Sequence, residues 1–359
     1  MNDQQQTTLV LTYDHIENDS ARSSEIIQRL CFELGGHLAA NPLYRSFQLI
    51  QAIECIVALI SLPIVHFMFL LRAALHMNLK ALLCLYFLIC FAYVLTVFTC
   101  LMYELVLWQT CRNPCDMFPS RRMYTFYSIT ELYCLLHMSS MQVVISFERA
   151  VATIYVDTYE SWRAPSAVFF ALSTFMIPGI LTTYIYAGVV FTEPNLCSFT
   201  DQSMVKNKIS EVSVLVILSC LLGVAVQRVL ATVNRKRSAR SIAKPFTTRY
   251  QLSENIAGTD LTSNLQILQV SASILYAVLS LICIGIPLGK AENERDTNLI
   301  AKEGCYIIPL AVAILPFLTL HVLKKRQRLR NNAIQQSVTR TTADDQMAVY
   351  ANMLRQQWE

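Results

Sequence analysis

The sequence predicts an all-α membrane protein folded as a bundle of seven transmembrane helices. Of the 359 residues, 54% are hydrophobic and only 15% are charged, whereas a soluble domain carries about 25% charged residues. The apolar residues also occur in runs of about 20, the length at which a helix crosses the hydrocarbon core of a bilayer. Too few polar residues remain to cover a soluble core, so we interpret the apolar runs as membrane spans.

The spans follow one another along most of the chain and are separated by segments that are richer in charged residues. Residues 1–46 are largely polar and lack the charged-then-apolar pattern of a cleaved signal peptide, so the first span is expected to act as the insertion signal. The fifth span has the least distinct ends, because Glu211 and Arg228 lie inside them. In chain order, the predicted spans cover residues 47–71, 81–103, 124–147, 165–190, 209–232, 265–288 and 304–323.

The distribution of basic residues predicts the orientation of the bundle. Lys and Arg in short loops favour the cytoplasmic side, and the loops that lie inside when the N-terminus is outside carry more of them. Asn18-Asp19-Ser20 is an N-glycosylation acceptor pattern, which can be used only on the lumenal side. We therefore expect residues 1–46 to be extracellular and residues 324–359 to form a cytoplasmic tail.

Composition and motifs argue against several other classes of protein. The net charge of +4 comes from basic clusters beside the spans, so no nucleic-acid-binding surface is predicted. The sequence has no Gly-rich phosphate loop and no Cys-x-x-Cys pair. No His/Cys/Asp/Glu cluster has the spacing of a metal site, and the spans contain no paired carboxylates or His/Asp cluster suited to catalysis. We expect neither an enzyme nor a bound cofactor or metal, and we expect membrane lipids as partners.

Glu148 and Arg149 lie directly after the third predicted span, at its predicted cytoplasmic end. An Arg at a helix end can extend its guanidinium to the membrane surface at little cost. The alternative is a switch, in which the two side chains pair in one state and are released toward a cytoplasmic partner in another. A structural ion pair between the two residues is the third interpretation, and from the residues alone all three stay open.

Glu131 is the main candidate for contact with a ligand. It precedes Arg149 by eighteen residues, or about 27 Å of helix, which places it in the outer third of the bundle. An ionisable side chain within a span is costly and indicates a functional site by default, although a structural pair or a wet outer cavity is the alternative. Glu54 in the first span has the same two interpretations, and His66 and His137 are expected to form hydrogen bonds between helices.

Several short motifs together resemble one receptor family. Glu148-Arg149 resembles the Asp/Glu-Arg-Tyr motif of rhodopsin-like G-protein-coupled receptors, and the longer stretch ERAVATIYVDTYE (148–160) is similar to the signature of nematode chemoreceptors in the Sra superfamily. Within that superfamily the chain resembles the alpha/beta-like class (Srab), which has Sra and Sre as neighbours. The other motifs with this resemblance are NPLYRSF (Asn41–Phe47), NPCDMFP (Asn113–Pro119) and RYQLSENI (Arg249–Ile256).

The resemblance implies a chemosensory receptor with the seven-helix architecture of rhodopsin-like receptors. Such a receptor binds an external small molecule within the bundle and signals to a heterotrimeric G protein, here in the plasma membrane and, by family, in the cilium of a sensory neuron involved in olfaction. The resemblance also implies that Glu148 and Arg149 form the coupling switch. Basic inner segments such as Lys324–Arg330 would then contribute to G-protein docking as well as to the attraction of anionic lipids.

A disulfide bond between Cys115 and Cys197 is likewise implied by the resemblance, with Cys111 as the alternative partner. The chain also departs from rhodopsin-like receptors, because Ala150 stands where a Tyr is usual and Pro316 is not part of an Asn-Pro-x-x-Tyr sequence. These departures indicate that a switch at this place uses other partners.

A seven-span ligand-gated channel or a transporter is the alternative function. A channel needs a polar path, and the spans have no ring of repeated acids and no carbonyl-rich loops. The two halves of the chain show no internal repeat of the kind that many transporters have. Insect-type chemosensory channels also place the N-terminus inside, which the charge distribution disfavours here. The sequence makes no prediction about dimerisation.

Overall fold

The computed structural model describes residues 41–335 except for 74, 111–112, 114–117, 157–158, 160–162, 190–205, 241–245, 286–293, 330 and 333–334. All regular secondary structure in this described part is helical. The helices are α1 (Pro42–Val65, continued by a π-helical turn, His66–Leu70), α2 (Met77–Thr110), α3 (Arg121–Ile154), α4 (Arg163–Tyr186), α5 (Lys206–Arg240), α6 (Phe246–Gly285), α7 (Glu294–Cys305) and α8 (308–329).

Six helical segments of the described part are long and apolar enough to cross a membrane. They are α1 with its π-helical turn, α2, α4, α5, α6, and the segment Ile300–Leu329 that contains α8. α3 has sufficient length, at 34 residues, but no stretch of it is as apolar as those of the six, and it completes the seven-helix bundle. The predicted fold class, an all-α membrane protein with seven long helices, is confirmed.

The long helices extend beyond the predicted spans at several ends. α6 begins at Phe246, whereas the sixth predicted span begins at residue 265, and α2 continues to Thr110, past the predicted end at residue 103. Apolar content marks only the part of a helix that crosses hydrocarbon, while backbone hydrogen bonding continues where the helix leaves the membrane or packs on a neighbour. The first half of α6 is more polar, so the hydropathy of the sequence did not indicate that this half is helical and belongs to the bundle.

α3 lies inside the bundle and packs against α2, α4, α5 and α6. Its buried residues include many polar ones, among them Glu131, His137, Gln142, Glu148 and Arg149. Neighbouring helices shield these polar side chains from lipid. Large apolar side chains are exposed on α1, α4 and α5, as expected of lipid-facing helices: Ile53, Ile60, Phe169, Met176, Leu215 and Leu222.

Asn41 begins the NPLYRSF motif and caps the first turn of α1. Its Oδ1 accepts hydrogen bonds from the backbone N–H groups of Leu43 at 3.0 Å and Tyr44 at 3.3 Å. Pro42 follows at the first helical position, where no N–H group is required. The first two residues of the motif thus define where α1 starts.

Asn41→Ala is expected to lower the free energy of unfolding by about 1 kcal/mol, because the first-turn N–H groups lose their acceptor. Asn41→Ser keeps an acceptor oxygen and is expected to change the stability less. Thermal unfolding of the purified protein in detergent measures both variants, and an equal loss for the two would contradict the capping role.

Candidate functional site

Glu148 and Arg149 form a buried ion pair near the end of α3. Arg149 Nε donates to Glu148 Oε2 at 2.5 Å, and Arg149 Nη2 donates to Glu148 Oε1. The exposed fractions of the Arg149 and Glu148 side chains are 1% and 0%, so the guanidinium is enclosed by protein and does not extend to the membrane surface. Two parallel hydrogen bonds are the strong geometry between Arg and a carboxylate.

Tyr159 lies in the segment that follows α3 and contacts the Glu148–Arg149 pair. Its hydroxyl donates to Glu148 Oε1 and accepts a hydrogen bond from Asn78 Nδ2 at 3.0 Å. The centre of the His76 ring lies 4.6 Å from that of the Tyr159 ring. Burial, and after it the Glu148 carboxylate, raise the pKa of Tyr159 above its ordinary value, so its hydroxyl keeps the proton it donates. The pair is thereby connected to the start of α2.

Tyr159→Phe is expected to destabilise the folded protein by about 1–3 kcal/mol, because Glu148 loses a hydrogen-bond donor inside the protein. Thermal unfolding of the purified protein measures the change. Tyr184→Phe is a matched control, since Tyr184 is half exposed on α4 and little change is expected there. Equal effects of the two substitutions would show that the Tyr159 hydroxyl contributes nothing to the pair.

α6 packs against the Arg149 guanidinium. Arg149 Nη1 is buried, has no hydrogen-bond partner among the described residues, and faces the backbone of α6 at Gly258. In the following turn of α3, the carbonyl oxygen of Ala152 accepts a hydrogen bond from Asn255 Nδ2 of α6 at 3.1 Å. These contacts hold α6 against the end of α3.

α5 contacts the same end of α3. Asn234 Nδ2 donates to Thr153 Oγ1 at 3.0 Å, and Arg237 Nη1 donates to the Thr153 carbonyl oxygen at 2.6 Å. Arg235 pairs with Asp260 of α6 at 2.8 Å in a more exposed position. The end of α3 that carries Arg149 is therefore enclosed by α2, α5 and α6.

A row of polar side chains continues from this end toward the middle of α3. Ser146 Oγ accepts hydrogen bonds from Gln227 Nε2 of α5 at 3.3 Å and from Gln266 Nε2 of α6 at 3.2 Å. Thr262 of α6 donates to Gln227 Oε1 at 2.6 Å. All four side chains are buried, and hydrogen bonds between helices satisfy polar groups that lipid cannot.

Gln269 of α6 extends this row to α2. Its Oε1 accepts from the Tyr86 hydroxyl of α2 and from Gln142 Nε2 of α3, each at 2.9 Å. Its Nε2 donates to Ser139 Oγ at 3.3 Å. Sequence reasoning did not single out these residues, because isolated Gln and Ser in an apolar run form no motif.

Glu131 is buried nearer the start of α3. It accepts a hydrogen bond from the hydroxyl of Tyr306, which lies between α7 and α8. The Tyr93 hydroxyl of α2 is 2.5 Å from that of Tyr306, and Tyr93 is the donor, since Tyr306 uses its own proton for Glu131. The centre of the Tyr276 ring of α6 lies 5.7 Å from that of the Tyr306 ring. Glu131 therefore ends a chain of hydroxyl groups that joins α2, α3 and the start of α8.

A second polar cluster joins α1 and α2. Arg45 Nη1 donates to Gln48 Oε1 at 2.6 Å, and Gln48 Nε2 donates to Glu104 Oε2. The Arg45 guanidinium carbon also lies 5.0 Å from the centre of the Trp108 ring, a cation–π contact. Arg45 belongs to the NPLYRSF motif, but the motif does not indicate its partners.

The two histidines predicted to join helices by hydrogen bonds pack against aromatic rings. His137 is fully buried, but neither of its ring nitrogens has a hydrogen-bond partner within the described part of the chain, so its expected hydrogen bond is wrong. Its ring packs edge-on against Phe175 at 4.8 Å between ring centres, because the neighbouring surface of α4 is aromatic. The centre of the His66 ring lies 6.2 Å from that of the Phe87 ring.

Glu54, the acid in the first predicted span, is half-buried on α1.

Three predicted site residues, Asn18, Cys115 and Cys197, lie outside the described residues. The glycosylation site and the disulfide bond therefore stay predictions. Within the described ranges, no group of three or more His, Cys, Asp and Glu side chains is arranged to hold a metal ion.

Comparison with known proteins identifies chains that are similar over most of their length. The family model for the serpentine type 7TM GPCR receptor class ab chemoreceptor matches residues 40–359. Serpentine receptor class beta-17 from Caenorhabditis elegans is 25% identical over 331 residues, which cover 88% of each chain. Serpentine receptor class beta-16 from the same organism is 24% identical over 298 residues, which cover 81% of this chain and 85% of the relative. The family match includes all the helices described above.

Proposed function

Because the chain belongs to the class ab family of serpentine seven-transmembrane chemoreceptors, we propose that it binds an external small molecule between its helices and signals to a heterotrimeric G protein. The family predicted from the motifs is confirmed, and it is a family of receptors rather than of enzymes. The chain is accordingly a GPCR-like chemoreceptor with several membrane-spanning helices. The observation that carries the coupling proposal is the buried Glu148–Arg149 pair, enclosed by α2, α5 and α6.

The buried pair supports a switch with two packings. Desolvation offsets much of the attraction between two buried charges, so such a pair adds little to stability, whereas an unpaired member is costly. When Tyr159 releases Glu148 and α6 moves from Arg149, the guanidinium becomes accessible from the predicted cytoplasmic side. A ligand shifts this equilibrium only by its different affinity for the two packings.

Exposed basic residues surround the proposed coupling site. Arg235, Lys236 and Arg240 are exposed near the end of α5, and Lys325 and Arg328 near the end of α8. We assign to these residues a part in docking the G protein, and the same charges attract anionic lipid headgroups.

Glu131, Tyr306 and Tyr93 form the proposed ligand-contact site. A ligand with a positive charge or a hydrogen-bond donor competes with the Tyr306 hydroxyl for Glu131 and so changes the contact between α3 and α8. The hydrogen-bonded row through Gln269 and Ser146 lies along α3 between this site and Arg149. The polar row is thus continuous in space between the proposed ligand-contact site and the proposed coupling site, and this continuity supports a connection between them.

The first test of the proposed function measures coupling. The receptor is expressed in cultured cells with a C-terminal tag, and G-protein activation is recorded against a chemical panel for the wild type and Arg149→Ala. The control is Arg121→Ala, which removes an exposed Arg at the opposite end of α3. At equal surface levels, we expect an agonist of the wild type to lose its effect on Arg149→Ala and to keep it on Arg121→Ala. An equal response of Arg149→Ala would leave Arg149 with a structural role only.

The same cells test the orientation and the alternative function. Loss of a surface glycan in Asn18→Gln would support an extracellular N-terminus, and a ligand-evoked current that persists without G protein would favour a channel. The Cys115–Cys197 bond is part of the proposal, and a change of electrophoretic mobility on reduction that disappears in Cys197→Ser tests it. The plasma membrane, in the cilium of a sensory neuron, is the proposed location, and imaging of the tagged receptor in such neurons tests it.

A further inference from the structure

α6 packs against α3 and α5 at two places where a glycine leaves room for a polar side chain. The first is Gly258 of α6. A Cβ atom at this position would lie 2.7 Å from Arg149 Nη1 and 2.6 Å from Leu79 Cδ2, which is closer than van der Waals contact permits. The guanidinium therefore fits beneath α6 only because position 258 has no side chain.

The second place is Gly223 of α5. A Cβ atom there would lie 2.4 Å from Gln266 Nε2 and 3.1 Å from Ser146 Oγ. Since Gln266 Nε2 donates to Ser146 at 3.2 Å, Gly223 makes room for the amide group that joins α6 to α3. Gly179 of α4 is different, because nothing lies within 4 Å of its Cβ position.

The side chains that an added methyl group would meet are held in place. Arg149 is bound to Glu148 through two nitrogens, and Leu79 is fully buried. Gln266 is also fully buried and is bound to Ser146. Because protein interiors are closely packed, the added methyl group is accommodated by moving α6 or by breaking these hydrogen bonds.

Other contacts at the same end of α6 are more exposed. Arg235 pairs with Asp260, and Arg326 Nη2 of α8 donates to the Ser253 carbonyl oxygen at 2.6 Å in an exposed position. Exposed pairs of this kind contribute little to stability. The position of α6 therefore depends mainly on its buried contacts, which include those at the two glycines.

We propose that Gly258 and Gly223 hold α6 in its closed position over Arg149, and that a side chain at either position shifts the receptor toward the packing in which Arg149 is accessible. The two glycines are positioning residues, which act through Arg149 and Gln266. The consequence for signalling rests on the proposed function, because it assigns regulation to the same site. The position of α6 itself does not depend on the G protein.

A distance measurement tests the position of α6. Nitroxide labels at Ile154 and Ser253, which are exposed near the adjacent ends of α3 and α6, report the separation of the helices by pulsed EPR in receptor purified into lipid nanodiscs. Gly258→Ala and Gly223→Ala are expected to raise the ratio of open to closed packing by about fivefold. Gly179→Ala is the matched control and is expected to leave the distance distribution unchanged.

A compensating substitution keeps the test decisive if Gly258→Ala does not reach the cell surface. Gln266→Ala removes the side chain that a methyl group at Gly223 would meet first. Because Gln266→Ala also removes the hydrogen bond to Ser146, Gln266→Ala alone is the reference. Adding Gly223→Ala to it is expected to change the distance distribution little, whereas Gly223→Ala in the wild type lengthens the distance. Unchanged distances in the glycine variants, or the same change in Gly179→Ala, would overturn the proposal.

Basal signalling separates this proposal from the proposed function. G-protein activation is recorded without agonist for the same variants at equal surface levels. A longer distance between the labels together with a basal signal raised about fivefold supports both the role of the two glycines and the proposed function. A longer distance without any basal signal supports the role of the two glycines and counts against coupling through Arg149.

Discussion

Glu148→Ala is expected to lower the free energy of unfolding of the receptor by about 3–5 kcal/mol, because it leaves the Arg149 guanidinium buried without its counter-charge. Arg149 Nε and Nη2 both lose their acceptor, and Nη1 already has none among the described residues. Thermal unfolding in detergent and the amount of receptor at the cell surface measure the loss. Glu211→Ala is the control, since Glu211 is an exposed acid on α5, and it is expected to change neither quantity appreciably.

The double substitution Glu148→Ala with Arg149→Ala distinguishes a charge effect from a packing effect. It is expected to be more stable than Glu148→Ala alone, because no unpaired charge is left inside the protein. The double-mutant cycle is expected to give a coupling energy of about 1 kcal/mol or more between the two residues. If the double substitution loses as much free energy of unfolding as the two single substitutions together, the pair contributes only through the volume of its side chains.

The second large effect is expected in the response to ligand. Glu131→Gln keeps an acceptor for the Tyr306 hydroxyl but replaces the carboxyl group, which can carry a negative charge, with a neutral amide. We expect it to raise the half-maximal concentration of an agonist found in the chemical panel by about tenfold or more, since a hydrogen bond to a charged group contributes about 1.5–3 kcal/mol. Phe126→Leu is the control on the same helix, because Phe126 is exposed on the bundle surface, and its agonist response is expected to match the wild type.

Tyr306→Phe separates ligand contact from structural support at Glu131. This substitution removes the donor of Glu131 and is expected to destabilise the folded receptor by about 1–3 kcal/mol. If Glu131→Gln leaves agonist potency unchanged while Tyr306→Phe lowers stability, Glu131 serves the packing of α3 and α8 and not the ligand.

The sequence was sufficient to predict the all-α membrane fold class because the length of an apolar run is a local property. α3 shows where this reasoning depends on the tertiary structure. It contains no stretch as apolar as those of the other six long helices, and its polar residues are buried against four neighbouring helices. Hydropathy alone does not tell whether such residues face lipid, water or protein.

The candidate site was predicted one residue at a time. The motif that contains Glu148 and Arg149 also contains Tyr159, but nothing in the motif indicates that Tyr159 donates to Glu148. Asn78 precedes its partner Tyr159 by 81 positions, and Tyr306 follows its partner Glu131 by 175. Contacts over such separations result from how the helices pack, which a single sequence does not show.

The sequence by itself determined that the chain is a helical membrane protein and which family it resembles, because apolar length and short motifs are properties of neighbouring residues. Only the tertiary structure decided how Arg149 is placed. An Arg at a helix end extends to the membrane surface when nothing covers it, and here α6 covers it at Gly258 while Glu148 neutralises it. The physical reason is that the surroundings of a charge depend on which other helices pack over it, and the residues of those helices lie far away in the chain.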